Sequence, residues 1–327
     1  MDAGAHYSLQ LFWESWDYFR EATVAGTIGG LMLGFLGGYI VLRKMVFLSA
    51  ALSQASGLGV AYAFYLQIYW GASGHQHAFG GATDSPWWAA LLGSPLLGAA
   101  VAALLVTAVL ALAAPRLSGR SMDALLGLIY LLGSAGILAL GTRIVEEVQD
   151  IQTILFGNAV VVLDEDLRLL AFTAVGVLGL HLLLMRGFIQ ASFDAEGARV
   201  RAMPVRALNL GLFVSIAIAV SVATRVLGAL PVFAFSVLPA MAAQRIAPNV
   251  QMTLIIAALL GAVAAFWGYV AAFLYELPVG AAQTLVAVGI VAVVEVLVHA
   301  GRLARRGWKW WRRPVVASAA TRGGEDA

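Results

Sequence analysis

Apolar residues in this chain come in long unbroken blocks, not in the alternating pattern of a half-buried strand or the narrow stripe of a surface helix. Read in order, the blocks predict spans at about 22–42, 45–70, 87–114, 122–142, 167–185, 205–224, 226–243, 250–274 and 279–299. Each is about 18 residues or more, the length a helix needs to cross the hydrocarbon of a bilayer. The pattern therefore predicts an all-α membrane protein, a polytopic bundle of about eight or nine transmembrane helices. The seventh block is the weakest, because Pro231, Pro239 and Pro248 punctuate it and a proline inside a helix removes a hydrogen bond. It admits either one crossing or two short helices.

Composition agrees and closes off alternatives. Hydrophobic residues make up 61% of the 327 and charged residues 12%, where a soluble domain carries about 25% charged. The expected organisation is an external interfacial segment at 1–21, a membrane domain at 22–300 and a basic cytoplasmic tail at 301–327. The first twenty residues lack the basic n-region of a secretory signal. With Trp13, Trp16 and Tyr18 among Glu14, Asp17 and Arg20, they read as an amphipathic segment that is retained. There is no cysteine, which excludes disulfides and thiolate metal sites.

Charge distribution sets the orientation, since Lys and Arg are retained on the cytoplasmic side of short loops. With Arg43 and Lys44 inside, only Arg20, Arg143, Arg168 and Arg225 of the 20 basic residues fall outside. The N-terminus is then external and the C-terminus cytoplasmic. The tail sequence GRLARRGWKWWRRP mixes Trp and Arg as a helix at an anionic lipid surface does. The external face collects acids, among them Asp84, Glu146, Glu147, Asp150, Asp164, Glu165, Asp166 and Glu276.

Gly26, Gly30, Gly34 and Gly38 recur every four residues in the first span. They form one helical stripe, along which another helix can approach closely. An ATP-binding P-loop needs a Gly-rich stretch ending in Lys followed by Ser or Thr. The only lysines are Lys44 and Lys309, and neither fits. The chain is thus expected to have no ATPase site of its own, and any ATP-driven role needs a partner.

Five segments carry a family resemblance: VLRKMVFLSAALSQASGLGVAYAF (41–64), TILFGNAVVVLDEDL (153–167), ASFDAEGARVRAMPV (191–205), VLGALPVFAFSVLPAMAAQRI (226–246) and LYELPVGAAQTL (274–285). In this order they resemble the permeases of metal-ion ABC transporters, the zinc, manganese and iron uptake class. The resemblance implies a homodimer in the membrane, two cytosolic ABC ATPase subunits and an external solute-binding protein that delivers the ion. It implies that the transported metal ion is cargo, with no cofactor bound by this chain and no nucleic-acid partner. It places Pro239, Ala240, Gln244 and Arg245 in a rigid Pro-bounded helix seated in the ATPase groove, flanked by the loop 191–206. Glu276, Pro278 and Gly280 fall in a structural turn.

One departure bears on the cargo. The family usually carries an Asp and a His one turn apart in the second span, and the aligned residues here are Ala50 and Gln54. Alanine has no donor atom, and a neutral amide oxygen suits hard cations better than first-row metals. Ser49, Ser53 and Gln54 still make this span polar, so Ser49, Ala50, Ser53 and Gln54 are the expected pathway residues. His75 and His77, with Asp84 nearby, are metal candidates in an external Gly-rich loop, histidine being the commonest transition-metal ligand. His181, Glu295 and His299 are ionisable groups at or near membrane depth. Glu295 and His299 share a helix face and could pair, or snorkel to the interface, and structural roles are expected for all three. Two other readings stay open: an ABC permease for a non-metal or chelated substrate, and a gradient-driven secondary transporter using those three groups as proton relays.

Overall fold

The structure, a computed structural model, describes residues 9–71, 94–113, 119–142 and 162–311. These residues form α1 (Leu9–Glu14), α2 (Trp16–Leu42), α3 (Phe47–Gly71), α4 (Pro95–Ala113), α5 (Gly119–Gly141), α6 (Asp164–Leu183), α7 (Met185–Phe193), α8 (Ala195–Val200), α9 (Val205–Leu227), α10 (Ala229–Ile246), α11 (Val250–Tyr275) and α12 (Val279–Trp311). Nine of them are long and apolar enough to span a membrane, as the apolar blocks predict.

Helix α2 sits at the centre, and its glycines are the reason. A β-carbon on Gly30 would strike the carbonyl of Gly261, one on Gly34 the carbonyl of Ala257, and one on Gly38 the side chain of Leu254. The partner numbers fall as the α2 numbers rise, so α11 runs antiparallel to α2 with the backbones in contact. Between helices in lipid there is little hydrophobic drive, and such close packing supplies the association. On another side of α2, Gly29 meets Leu227 and Gly37 meets the carbonyl of Ser236. Leu227 ends α9 and Ser236 lies in α10, so the numbers rise together across the α9–α10 joint and α10 runs parallel to α2.

The seventh block resolves into one helix, α10, unbroken through Pro239. Pro231 lies in its first turn, where amides have no intrahelical acceptor to lose. Pro239 is buried inside the helix, so the expected short helix bounded by Pro239 and Pro248 does not exist as a separate element. Tight packing against α2 holds the backbone in helical form where the amide is missing. The break falls instead at Gly228, whose φ of 91° and ψ of 161° lie in a region open essentially to glycine alone. This one residue joins α9 to α10 beside Gly29, so α10 begins partway along α2.

Both ends of the bundle are tied down. At the end expected to be external, Phe12 is fully buried and meets Phe273 edge-on at 5.4 Å, while Phe19 meets Phe273 at 5.3 Å. The N-terminal segment therefore folds onto α11, and α2 starts at Trp16 instead of Ala22. Arg225 and Asp166 form an ion pair of 2.9 Å at this end. At the opposite end, Arg43 donates to Ser192 Oγ and Asn209 Oδ1, both at 2.8 Å. Residues 43, 192 and 209 share one side of the bundle, as the charge distribution requires. Burial pulls the Arg43 guanidinium down to about 10, which leaves it charged at neutral pH.

Candidate functional site

Helix α3 carries the expected pathway residues, and its serine and glutamine bring polar groups to a mostly apolar cavity in the bundle. Ala50, Ser53 and Gln54 lie along one side of α3 and line a cavity of about 380 Å³, with Phe47 at the helix start. Tyr130 and Ser134 of α5 close a second wall. The third comes from the first turns of α10, where Ala229, Leu230 and Phe233 follow directly on Gly228. The glycine hinge is thus what brings α10 to the cavity. Gly133 keeps α5 close, since a β-carbon there would lie 2.8 Å from the Gln54 carbonyl carbon.

Ser49 does not join its neighbours. It is fully buried on another side of α3, and its hydroxyl has no hydrogen-bond partner among the described residues. Ser53 donates to the Ala50 carbonyl at 3.1 Å, which keeps its oxygen available as an acceptor. Gln54 is buried to 9% exposure, and its Oε1 has no partner among the described residues. An unsatisfied buried acceptor is costly, so this one is poised for a group that enters the cavity. Alanine and leucine positions such as Leu230 gave no sequence signal of a lining role. The signal available was Gly228, which separates two apolar runs.

The remaining candidates separate by location. His75, His77 and Asp84 lie outside the described residues. Among the described residues no three His, Asp or Glu side chains cluster as a metal site. Pro239 and Ala240 are buried in the interior of α10, whereas Gln244 and Arg245 are exposed in its last turn. Sequence reasoning did not find the partner of Arg245: its Nε lies 2.5 Å from Glu295 Oε1, joining α10 to α12. His299 extends the group, with Nδ1 3.0 Å from the Glu295 carbonyl and 3.6 Å from its Oε2. The Glu295–His299 pairing is thus present, with an arginine added to it.

Segment 191–206 is more ordered than a loop. Asp194 caps α8 by accepting from the Gly197 amide at 2.8 Å, and Ala191, Ala198 and Val205 bury a small cluster between α7, α8 and α9. In the 274–285 turn, Glu276 ends α11 with φ of 52° in the left-handed region. Pro278 follows, and its carbonyl accepts from the Ala282 amide to open α12, with Gly280 in the first turn.

His181 is fully buried and packs against Phe35, Tyr39 and Phe188, the last with ring centroids 4.8 Å apart. Its Nδ1 lies 2.8 Å from the Val177 carbonyl and its Nε2 3.4 Å from Ser215 Oγ. Aromatic packing and two polar partners give this histidine a structural role.

Comparison with known proteins covers nearly the whole bundle. The model of the ABC 3 transport family matches residues 15–299. An uncharacterized membrane protein of Synechocystis is 28% identical over 276 residues, covering 83% of this chain and 88% of its own. The manganese transport system membrane protein MntC of Listeria monocytogenes is 24% identical over 277 residues, again 83% of this chain and 88% of its own. Among solved structures, PsaBC from Streptococcus pneumoniae in complex with Fab superposes with a TM-score of 0.71 at 23% identity. It covers 88% of this chain and 95% of that one, and it supports the fold.

Proposed function

This chain belongs to the ABC 3 transport family as a membrane-spanning permease subunit, and from that premise we propose that it imports a divalent metal ion by alternating access, driven by a separate cytosolic ATPase. Manganese is the first candidate cargo, because the Listeria relative is named for it. The observation that carries the reading is that the segment resembling the metal permeases' second span lines a cavity in the bundle at Ala50, Ser53 and Gln54.

The route runs between two copies of the chain, with an external solute-binding protein delivering the ion. Coupling falls on the exposed end of α10, where Gln244 and Arg245 project from a helix that Pro239 and Ala240 anchor in the core. A helix held at one end and exposed at the other transmits a push, and α10 reaches from that end to the cavity wall at Phe233. Selectivity then rests mainly on the solute-binding protein, since a pathway site need bind an ion only loosely enough to release it.

Reconstitution with the ATPase and the solute-binding protein in proteoliposomes tests this. Uptake of Mn²⁺ that requires ATP and the binding protein is the expected result. ATP hydrolysis stimulated by the loaded binding protein, with no metal appearing inside, would overturn it.

A further inference from the structure

The lining of the cavity says in what form the ion passes, an inference that rests on the pathway reading above. We propose that the cation crosses this chamber with its inner coordination shell of water intact, held by outer-shell hydrogen bonds and aromatic faces instead of by direct protein ligands.

Stripping a dication of water removes a very large solvation energy, which only strongly donating ligands replace. At the two positions where the metal permeases usually carry an acid and an imidazole, the wall here offers a methyl group and a neutral amide. The other polar groups among the described lining residues are the hydroxyls of Ser53, Ser134 and Tyr130, all neutral. Four neutral oxygens supply no charge to offset the loss of coordinated water. A second copy facing the first would add the same neutral groups.

The set does fit a hydrated ion. Water bound to a metal through oxygen points its hydrogens outward, so the shell presents donors and needs acceptors around it. Gln54 brings an Oε1 with no partner among the described residues, and the Ser53 oxygen retains accepting capacity. Phe47, Tyr130 and Phe233 also line it, and aromatic rings attract cations to their faces. A carboxylate chelate would bring negative charge, which such rings do not attract. Size agrees as well: six waters at about 30 Å³ each take roughly 180 Å³, which the cavity of about 380 Å³ accommodates.

The cysteine-free chain makes the test direct. In the full-length chain in nanodiscs, Ser134→Cys places one thiol on the cavity wall, and its rate of modification by a small methanethiosulfonate reports occupancy. The probes are labile Mn²⁺, the substitution-inert cation hexaamminerhodium(III), whose shell is fixed and donor-rich, and the inert anionic rhodium(III)–EDTA complex. Protection by hexaamminerhodium(III), slowing modification at least tenfold at saturation, is expected, with no protection by rhodium(III)–EDTA. Adding Ala50→Asp and Gln54→His should lower the Mn²⁺ concentration for half protection at least tenfold more than that of the inert cation, because inner-shell ligands then exist. In that variant, bound Mn²⁺ should also gain a nitrogen coupling in its electron paramagnetic resonance spectrum that the parent lacks.

Protection by Mn²⁺ but not by the inert cation would overturn the hydrated-ion inference and leave the metal pathway standing. Protection by rhodium(III)–EDTA alone would overturn it in favour of a chelated cargo. Protection by none of the three would remove the chamber from the route, even if the assembled transporter carries Mn²⁺.

Discussion

Two seams of the bundle are built on opposite plans. Between α2 and α11 every fourth residue of α2 is a glycine, and the backbones touch with no space for one added carbon. Between α3, α5 and α10 the helices leave a cavity lined by hydroxyls, an amide and three rings. The first seam has a single good arrangement, because close packing is lost with any shift. The second is under-packed and holds an unsatisfied acceptor, so moving its walls forfeits little. The difference assigns the fixed frame to α2, α11 and the length of α10 that Gly37 meets at Ser236, and the freer wall to the first turns of α10 at Ala229–Phe233, with Gly228 as the joint.

Gly34→Val tests the frame and should have the largest effect. Its side chain meets the Ala257 carbonyl, backbone that cannot give way, and overpacking of this kind costs about 1–3 kcal/mol or more. Little monodisperse protein is expected on fluorescence-detected size exclusion. Recovery at parental levels would mean that the seam is looser than its geometry.

Substitutions toward the ATPase end of α10 should spare folding and remove coupling. With Pro239→Leu or Arg245→Glu, metal uptake per ATP hydrolysed should fall at least tenfold in proteoliposomes. Arg245→Glu also sets two acids face to face at Glu295, and adding Glu295→Arg restores the pair with its polarity reversed. If the double exchange recovers stability but not uptake, Arg245 acts through the ATPase surface. If it recovers both, the α10–α12 link is what matters.

Arg43→Gln sits between the two classes. It loses charge-assisted bonds to Ser192 and Asn209 and should cost about 1–3 kcal/mol, seen as a drop of a few degrees in Tm. Ser134→Ala, on the cavity wall, should change Tm by less than the assay resolves, since truncation there meets open space. An effect as large as that of Gly34→Val would erase the distinction between the seams.

Much of the frame was legible in the sequence. Block length alone predicts nine spans, and the glycine period correctly predicts a close helix partner for α2. Basic-residue asymmetry puts Arg43 and the 186–204 segment on one side, where Ser192 and Asn209 meet Arg43. Periodicity could not identify α11 as the partner, because many spans contain small residues. Proline in the seventh block misled for a physical reason. A proline's cost in isolation is fixed by its missing amide, whereas in the bundle it is offset by packing on α2, which lies far away in sequence. Three of the four expected pathway residues line the cavity and Ser49 does not. Helical register within α3 separates them, and one polar stretch cannot reveal which side faces the space. The Arg245–Glu295 pair spans 50 residues and left no local trace.

Helix α12 runs 33 residues without a break to Trp311, about 50 Å at 1.5 Å per residue, against hydrocarbon about 30 Å thick. Its far end is a boom on the same rigid rod that carries Glu295. A change in tilt of about 10° swings the tip by roughly 8 Å relative to its root, amplifying a motion too slight to follow inside the membrane. The last described turn of α12 ends at Trp311, so that tip is a dial geared to the pair that ties α12 to α10.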